Sequence, residues 1–200
     1  MAPAKKKESN LPVHVVLDFA EAAADMLRLL SLDAAWTGVA ERRGEFTERD
    51  REALVTLGRK IDAEVAVVER HAATLARTCE SYRTVVNERI ASALTSDRFS
   101  TSQREDVRRI LGVEGDDFAG RGIALGNSLA QRASAAREEL RDKVSGLRSN
   151  SPPVTDLSHE FVCNVAAGAF VAGAIACPGT AGLGCIEAAF AFGFAVGYHC

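Results

Sequence analysis

The chain has 200 residues, of which 47% are hydrophobic and 26% charged, and its formal net charge is −3. That balance suits one or two small folded domains and excludes a disordered polyelectrolyte or a general nucleic-acid binder held by bulk charge. All 24 basic residues and 24 of the 27 acids lie at or before Arg148, so the rest of the chain carries only Asp156, Glu160 and Glu187.

Residues 1–11 read as a disordered basic terminus in which Lys5 to Lys7 serve solubility. Asp18 and Glu21 interrupt what would be the apolar core of an export signal, so LPVHVVLDFAEAAADM reads as a helix instead. Its start is set by Pro12, its apolar face by Val16, Phe19, Ala23, Met26, Leu27 and Leu30, and its end falls between Trp36 and Gly44. Thr47 with Asp50 forms a capping box for a long second helix. The seam of that helix is Leu54, Leu57, Ile61, Val65, Val68, Ala72, Leu75, Cys79, Tyr82, Val86 and Ile90, spaced almost entirely by three and four. Cys79 lies in the seam and reads as a buried reduced thiol.

Ser102 with Glu105 offers a capping box for a short helix that Gly112 closes. A further helix starts near Asp117, with Phe118, Leu125, Leu129, Ala133, Ala136, Leu140, Val144 and Leu147 on one stripe. Gly120, Gly122 and Gly126 weaken its first turns and permit close approach by another helix. Residues 12–148 are therefore expected to form a helical bundle or antiparallel coiled coil, with no strand. Residues 149–156, with a Pro pair among small polar residues, read as a linker, and Thr155 or Asp156 as the cap of the next helix.

From Phe161 to Cys200 the composition changes: Ala and Gly supply eighteen of forty positions, and four of the five cysteines fall here. Pro178, Gly179, Gly182 and Gly184 divide this run, predicting an antiparallel helical hairpin over residues 157–200. In such a hairpin Cys177 stands level with Cys185 and Cys163 with Cys200, at the turn and at the open end. Disulfides need α-carbons about 4.4 to 6.8 Å apart, which helix-end cysteines can reach. Four cysteines allow three connectivities, and the sequence does not choose among them. His159, Cys163, His199 and Cys200 also supply the residue types of a structural zinc site, although their spacing matches no zinc motif. Disulfides, a metal and free thiols thus stay open, disulfides being preferred and no metal expected.

The chain lacks a phosphate loop, a Gly-x-Ser-x-Gly elbow and a His-Glu-x-x-His pair, so neither an enzyme nor a cofactor is expected. Each arm of the hairpin has a length at or below the ~20 residues that span a bilayer. Gly168, Ala172 and Ala176 on one arm, and Ala189, Gly193 and Gly197 on the other, repeat at four and are expected to be the helix-packing faces. Phe161, Phe170, Val171, Phe190, Phe192 and Phe194 are expected to contact a membrane.

A long polar N-terminal part, a linker and a C-terminal apolar peptide rich in Ala, Gly and Cys together resemble a peptide bacteriocin precursor. The tail is similar to the halocin-like cysteine-rich bacteriocins, with fewer cysteines. The resemblance implies a C-terminal toxin and an N-terminal carrier or immunity part, secreted or membrane-associated, with the N-terminal part in the cytoplasm. Trp36-Thr37-Gly38, expected between two helices, resembles the tripeptide of the WXG family of type VII secreted proteins. A third expectation is a membrane-anchored coiled coil held by the hairpin, with Arg141, Lys143 and Arg148 on its inner flank. The expected partners are a lipid membrane through the hairpin and a second copy through the coiled coil, with no nucleic acid.

Overall fold

A computed structural model describes residues 10–41, 46–95, 99–113, 115–147, 157–177, 180, 183–197 and 200. The protein is all-α, with seven helices and no strand among the described residues. They are α1 (Val13–Ala40), α2 (Glu48–Ser81), α3 (Arg83–Thr95), α4 (Thr101–Leu111), α5 (Phe118–Gly146), α6 (His159–Ala176) and α7 (Leu183–Gly197). The basic terminus up to residue 9, the linker 149–156, and the turn residues Pro178, Gly179 and Gly182 lie outside the described residues.

The helix ends follow local chemistry. Thr47 and Asp50 form the expected reciprocal capping box, the Thr47 side chain accepting from the Asp50 amide at 3.2 Å while Thr47 N–H donates to the Asp50 carboxylate at 3.0 Å. For α4 the box is Ser100 with Gln103, two residues before the predicted Ser102 with Glu105. Both pairs have the same spacing, and the earlier one captures the chain as it leaves Phe99, buried in the core. Gly112 ends α4 with a positive φ of 63°, which a glycine adopts without the Cβ clash of other residues. Asp117 caps α5 by accepting from the Gly120 amide at 3.1 Å. The long helix expected from Thr47 to Ile90 breaks at Tyr82, where φ is −122°, dividing it into α2 and α3.

Packing joins these elements along antiparallel seams. Helices α2 and α3 run against α5 from Arg83, which pairs with Asp117 at 2.6 Å, to Asp62, which receives Arg137 Nε at 3.0 Å. Gly126 makes the approach possible, because a Cβ there would lie 2.5 Å from the Ala72 carbonyl oxygen. At Gly122 it would lie 2.6 Å from Cys79 Sγ. Cys79 is free and fully buried, and burial pushes its thiol up to about 12, well outside the range of a reactive thiolate. The predicted seam of α2 and α3 is buried at every position except Leu57 and Tyr82, which are half-buried. Trp36, Thr37 and Gly38 lie inside α1 rather than between helices, and the Trp36 ring is fully buried against Gly58.

Helix α6 occupies the centre. It contacts α1, α3, α5 and α7, and Phe161, Val162 and every residue from Val165 to Ala176 are buried. Burying its six large apolar side chains, Phe161, Val162, Val165, Phe170, Val171 and Ile175, contributes roughly 10 kcal/mol or more at ~1.5 to 3 kcal/mol each. The hairpin therefore shares one core with the helices before it instead of lying apart from them.

Between α1 and α2 sits a group of charges, in which Asp25 accepts from His71 at 2.9 Å and from Arg28 at 3.1 Å, and Arg28 reaches Glu64 at 3.5 Å. Burial raises the Glu64 carboxyl above its ordinary value, and Arg28 offsets this only in part. A raised carboxyl holds its proton more tightly folded than unfolded, so its ionisation erodes stability as pH rises from the ordinary 4.5. We expect Glu64→Gln to be more stable than the parent at pH 7, with the difference vanishing below about pH 4, as read by chemical denaturation across pH. A constant difference at all pH values would contradict this account.

The contact between α6 and α7 makes a second prediction. A Cβ on Gly173 would lie 2.8 Å from both the Ala188 nitrogen and the Gly184 carbonyl oxygen, which are backbone atoms with little freedom to move. Gly173→Ala should cost about 1 to 3 kcal/mol. Gly193→Ala, at a position with nothing within 4 Å, should be neutral or stabilise by up to about 1 kcal/mol. Urea denaturation of the two variants tests the contrast.

Candidate functional site: the cysteine-paired hairpin

The hairpin begins where α1 fixes it. Asp33, fully buried, accepts from the Leu157 amide at 3.1 Å, and Ser158, one residue later, caps α6 by accepting from the Phe161 amide at 3.4 Å. Ser158 thus takes the place of the expected Thr155 or Asp156, which lie outside the described residues. At the other end Arg89 of α3 donates from Nη1 to the Ile175 carbonyl at 3.0 Å. That carbonyl is among the last four of the helix, which have no partner within it, and a cation there also meets the favourable end of the helix dipole. Burial lowers the Arg89 guanidinium below its usual value, but arginine stays charged at any physiological pH. Arg132 pairs with Glu160 at 2.6 Å on the exposed side, where such a contact contributes little.

Four cysteines meet in pairs. Cys163 and Cys200 are at disulfide distance with α-carbons 5.6 Å apart, and Cys177 and Cys185 likewise at 4.6 Å. Both separations fall in the range a disulfide bridges. His159 Nε2 lies 3.6 Å from Cys163 Sγ, one helical turn away, while His199 is outside the described residues. Among the described residues no three His, Cys, Asp or Glu side chains converge as a metal site would require.

The small-residue faces need correction on one arm. Gly168, Ala172 and Ala176 are buried as expected, Gly168 facing Leu129 of α5 and Met26 of α1. On α7, however, Ala189, Gly193 and Gly197 are exposed, and the buried face is Gly184, Cys185, Ala188, Ala191 and Ala195. The reason is the backbone approach between Gly173 and Gly184, where a Cβ on Gly184 would lie 2.6 Å from the Gly173 carbonyl oxygen. Gly184, read as part of the turn, is the first small residue of the true seam.

The six residues expected to contact a membrane divide into two sets. Phe161, Phe170 and Val171 are buried in the core, so in this arrangement they are closed to lipid. Phe170 meets Phe99 edge to face at 6.2 Å, and Phe99 meets Phe192 at 6.4 Å, so Phe99 closes over both arms. Phe192 and Phe194 are half-buried, and Phe190 is 63% exposed. With Leu183, Ile186 and Val196, also exposed, Phe190 gives α7 an apolar outer surface. Glu187, on the same helix, has one carboxylate oxygen buried without a hydrogen-bond partner. Helix α6 alone among the described residues is long and apolar enough to cross a membrane, a test that a core helix also passes.

No family model, no curated protein and no solved structure matches this chain.

Closing a loop of 37 residues should stabilise more than closing one of 8. Chain entropy gives about 4 kcal/mol for the first and about 2.5 kcal/mol for the second. We therefore expect the Cys163→Ala/Cys200→Ala variant to lose more stability under oxidising conditions than Cys177→Ala/Cys185→Ala. Intact-mass measurement before and after reduction should show four hydrogens gained.

Proposed function

We propose that this chain is a bacteriocin-like precursor in which the helices before the linker act as carrier or immunity part and the hairpin 157–200 is a membrane-active peptide. The observation that carries the reading is the enclosure of α6. A helix with no charge after Glu160 and its large side chains covered by α1, α3, α5 and α7 is a membrane-seeking surface kept out of reach.

The physical steps are simple. Severing the chain within residues 149–156 leaves the hairpin held to the bundle by noncovalent contacts: packing, the Asp33 and Arg89 hydrogen bonds, the Asn164 amide donating to Ser128 Oγ, and the Arg132 pair. Once freed, α6 must bury its apolar face elsewhere, and a bilayer offers that burial. At ~1.5 Å per residue an 18-residue helix is about 27 Å long, close to the ~30 Å hydrocarbon thickness. The outer face of α7 is already apolar and supplies the first contact, and Phe161, Phe170 and Val171 follow as the arms leave the bundle. The two cysteine pairs hold α6 and α7 together throughout. The bundle restrains the toxin by competing with lipid for the same surface, so carrier and immunity roles follow from one set of contacts.

The test is full-length oxidised protein with a specific protease site placed in the linker, added to dye-filled vesicles. Leakage should be small before cleavage and rise several-fold after it. Equal leakage from intact and cleaved protein, or none from either, would argue against a shielded toxin; stable membrane association of the intact chain would favour a hairpin anchor.

A further inference from the structure

Away from the hairpin, the contact between α2 and α5 opens into a cavity of 530 Å³. That lies in the range of small-molecule sites, ~300 to 1,000 Å³. Its apolar wall is Val55, Leu140, Val144 and Leu147, and Arg51, Arg59 and Arg141 line it as well. The one acid in the lining, Asp62, is taken up by Arg137 at 3.0 Å and Arg141 at 3.3 Å, with the Arg137 hydrogen bond holding its carboxyl below the usual range. Arg51 pairs with Glu48 through Nη1, yet its Nε is buried with no hydrogen-bond partner. Behind the wall at Gly58 stands Trp36, whose benzo edge lies 3.1 Å from where a Gly58 Cβ would be. Donors thus outnumber acceptors here, and the buried Arg51 N–H in the lining is left unmatched, at a cost that a bound acceptor would remove. Gly58 keeps the cavity open, since a side chain there would collide with Val144.

We infer that this cavity binds an amphipathic anion, a carboxylate or phosphate monoester carrying a modest aliphatic or aromatic body. The head group meets the guanidinium groups of Arg51, Arg59 and Arg141, and the body lies on Val55, Leu140 and Val144. Such a group could come from a free acid or from a membrane lipid, which the test separates.

Trp36 is the only tryptophan in the chain and adjoins the site, so its fluorescence in the intact protein reports occupancy. Titration with decanoate should give a saturable change, while decylamine, equal in length and opposite in charge, gives none. Arg59 is exposed, so Arg59→Gln keeps the fold and should weaken decanoate about tenfold or more. Added salt should weaken binding further. Val55→Phe, which puts a larger ring into the apolar wall where the body would lie, should weaken the response while circular dichroism stays helical. An equal response to decylamine, a decanoate response indifferent to Arg59→Gln, or a response to anionic phospholipid vesicles without one to decanoate would each overturn the assignment.

Discussion

The structure depends on one requirement: α6 has no charged residue after Glu160 and must be surrounded on all sides. Small residues make that possible, because Gly173 and Gly184 let neighbouring backbone atoms approach to distances that a Cβ would forbid, and Gly168 leaves Leu129 and Met26 room to close in. Close approach multiplies dispersion contacts, which are individually weak and collectively large. The arrangement of the other helices follows. Gly122 and Gly126 draw α5 onto α2, and the resulting pair with α1 forms a trough into which α6 settles. Helices of this kind are marginal alone in water, so the trough and its occupant stabilise each other.

Polar groups in the interior set register. Asp33 and Arg89 act at opposite ends of α6, the first accepting a backbone amide just before the helix and the second donating to a carbonyl near its end. Each satisfies a main-chain group that burial would otherwise leave stranded, and each would lose its partner if α6 slid by one turn. The charges between α1 and α2 do similar service nearer the surface, where Asp25, Arg28, Glu64 and His71 tie the helices without packing.

Much of this was legible in the sequence because amphipathic helices announce their period. The α2 seam and the α5 stripe could be read directly because apolar residues alternate there with charged ones, and the Thr47 box and Gly112 stop because their residue types carry the capping chemistry. The hairpin arms were legible as helices but not as faces. Where Ala and Gly fall on nearly every turn, several stripes have the same spacing, and only the Gly173 and Gly184 contact selects Ala188, Ala191 and Ala195 over Ala189, Gly193 and Gly197. The break at Tyr82 carries neither Gly nor Pro, and Arg89 looks like any surface arginine until α6 is placed beside it. Cavities such as the one bounded by Arg51 and Val55 arise from two helices together, so neither helix alone betrays them.

Both cysteine pairs lie within residues 163–200, and neither reaches α1 to α5. The covalent map of the molecule thus has a seam in it: oxidation welds α6 to α7 and leaves their boundary with the bundle entirely noncovalent. One broken peptide bond before Leu157 makes two separate molecules, whereas a break in the loop between Cys163 and Cys200 leaves both halves of the hairpin tethered.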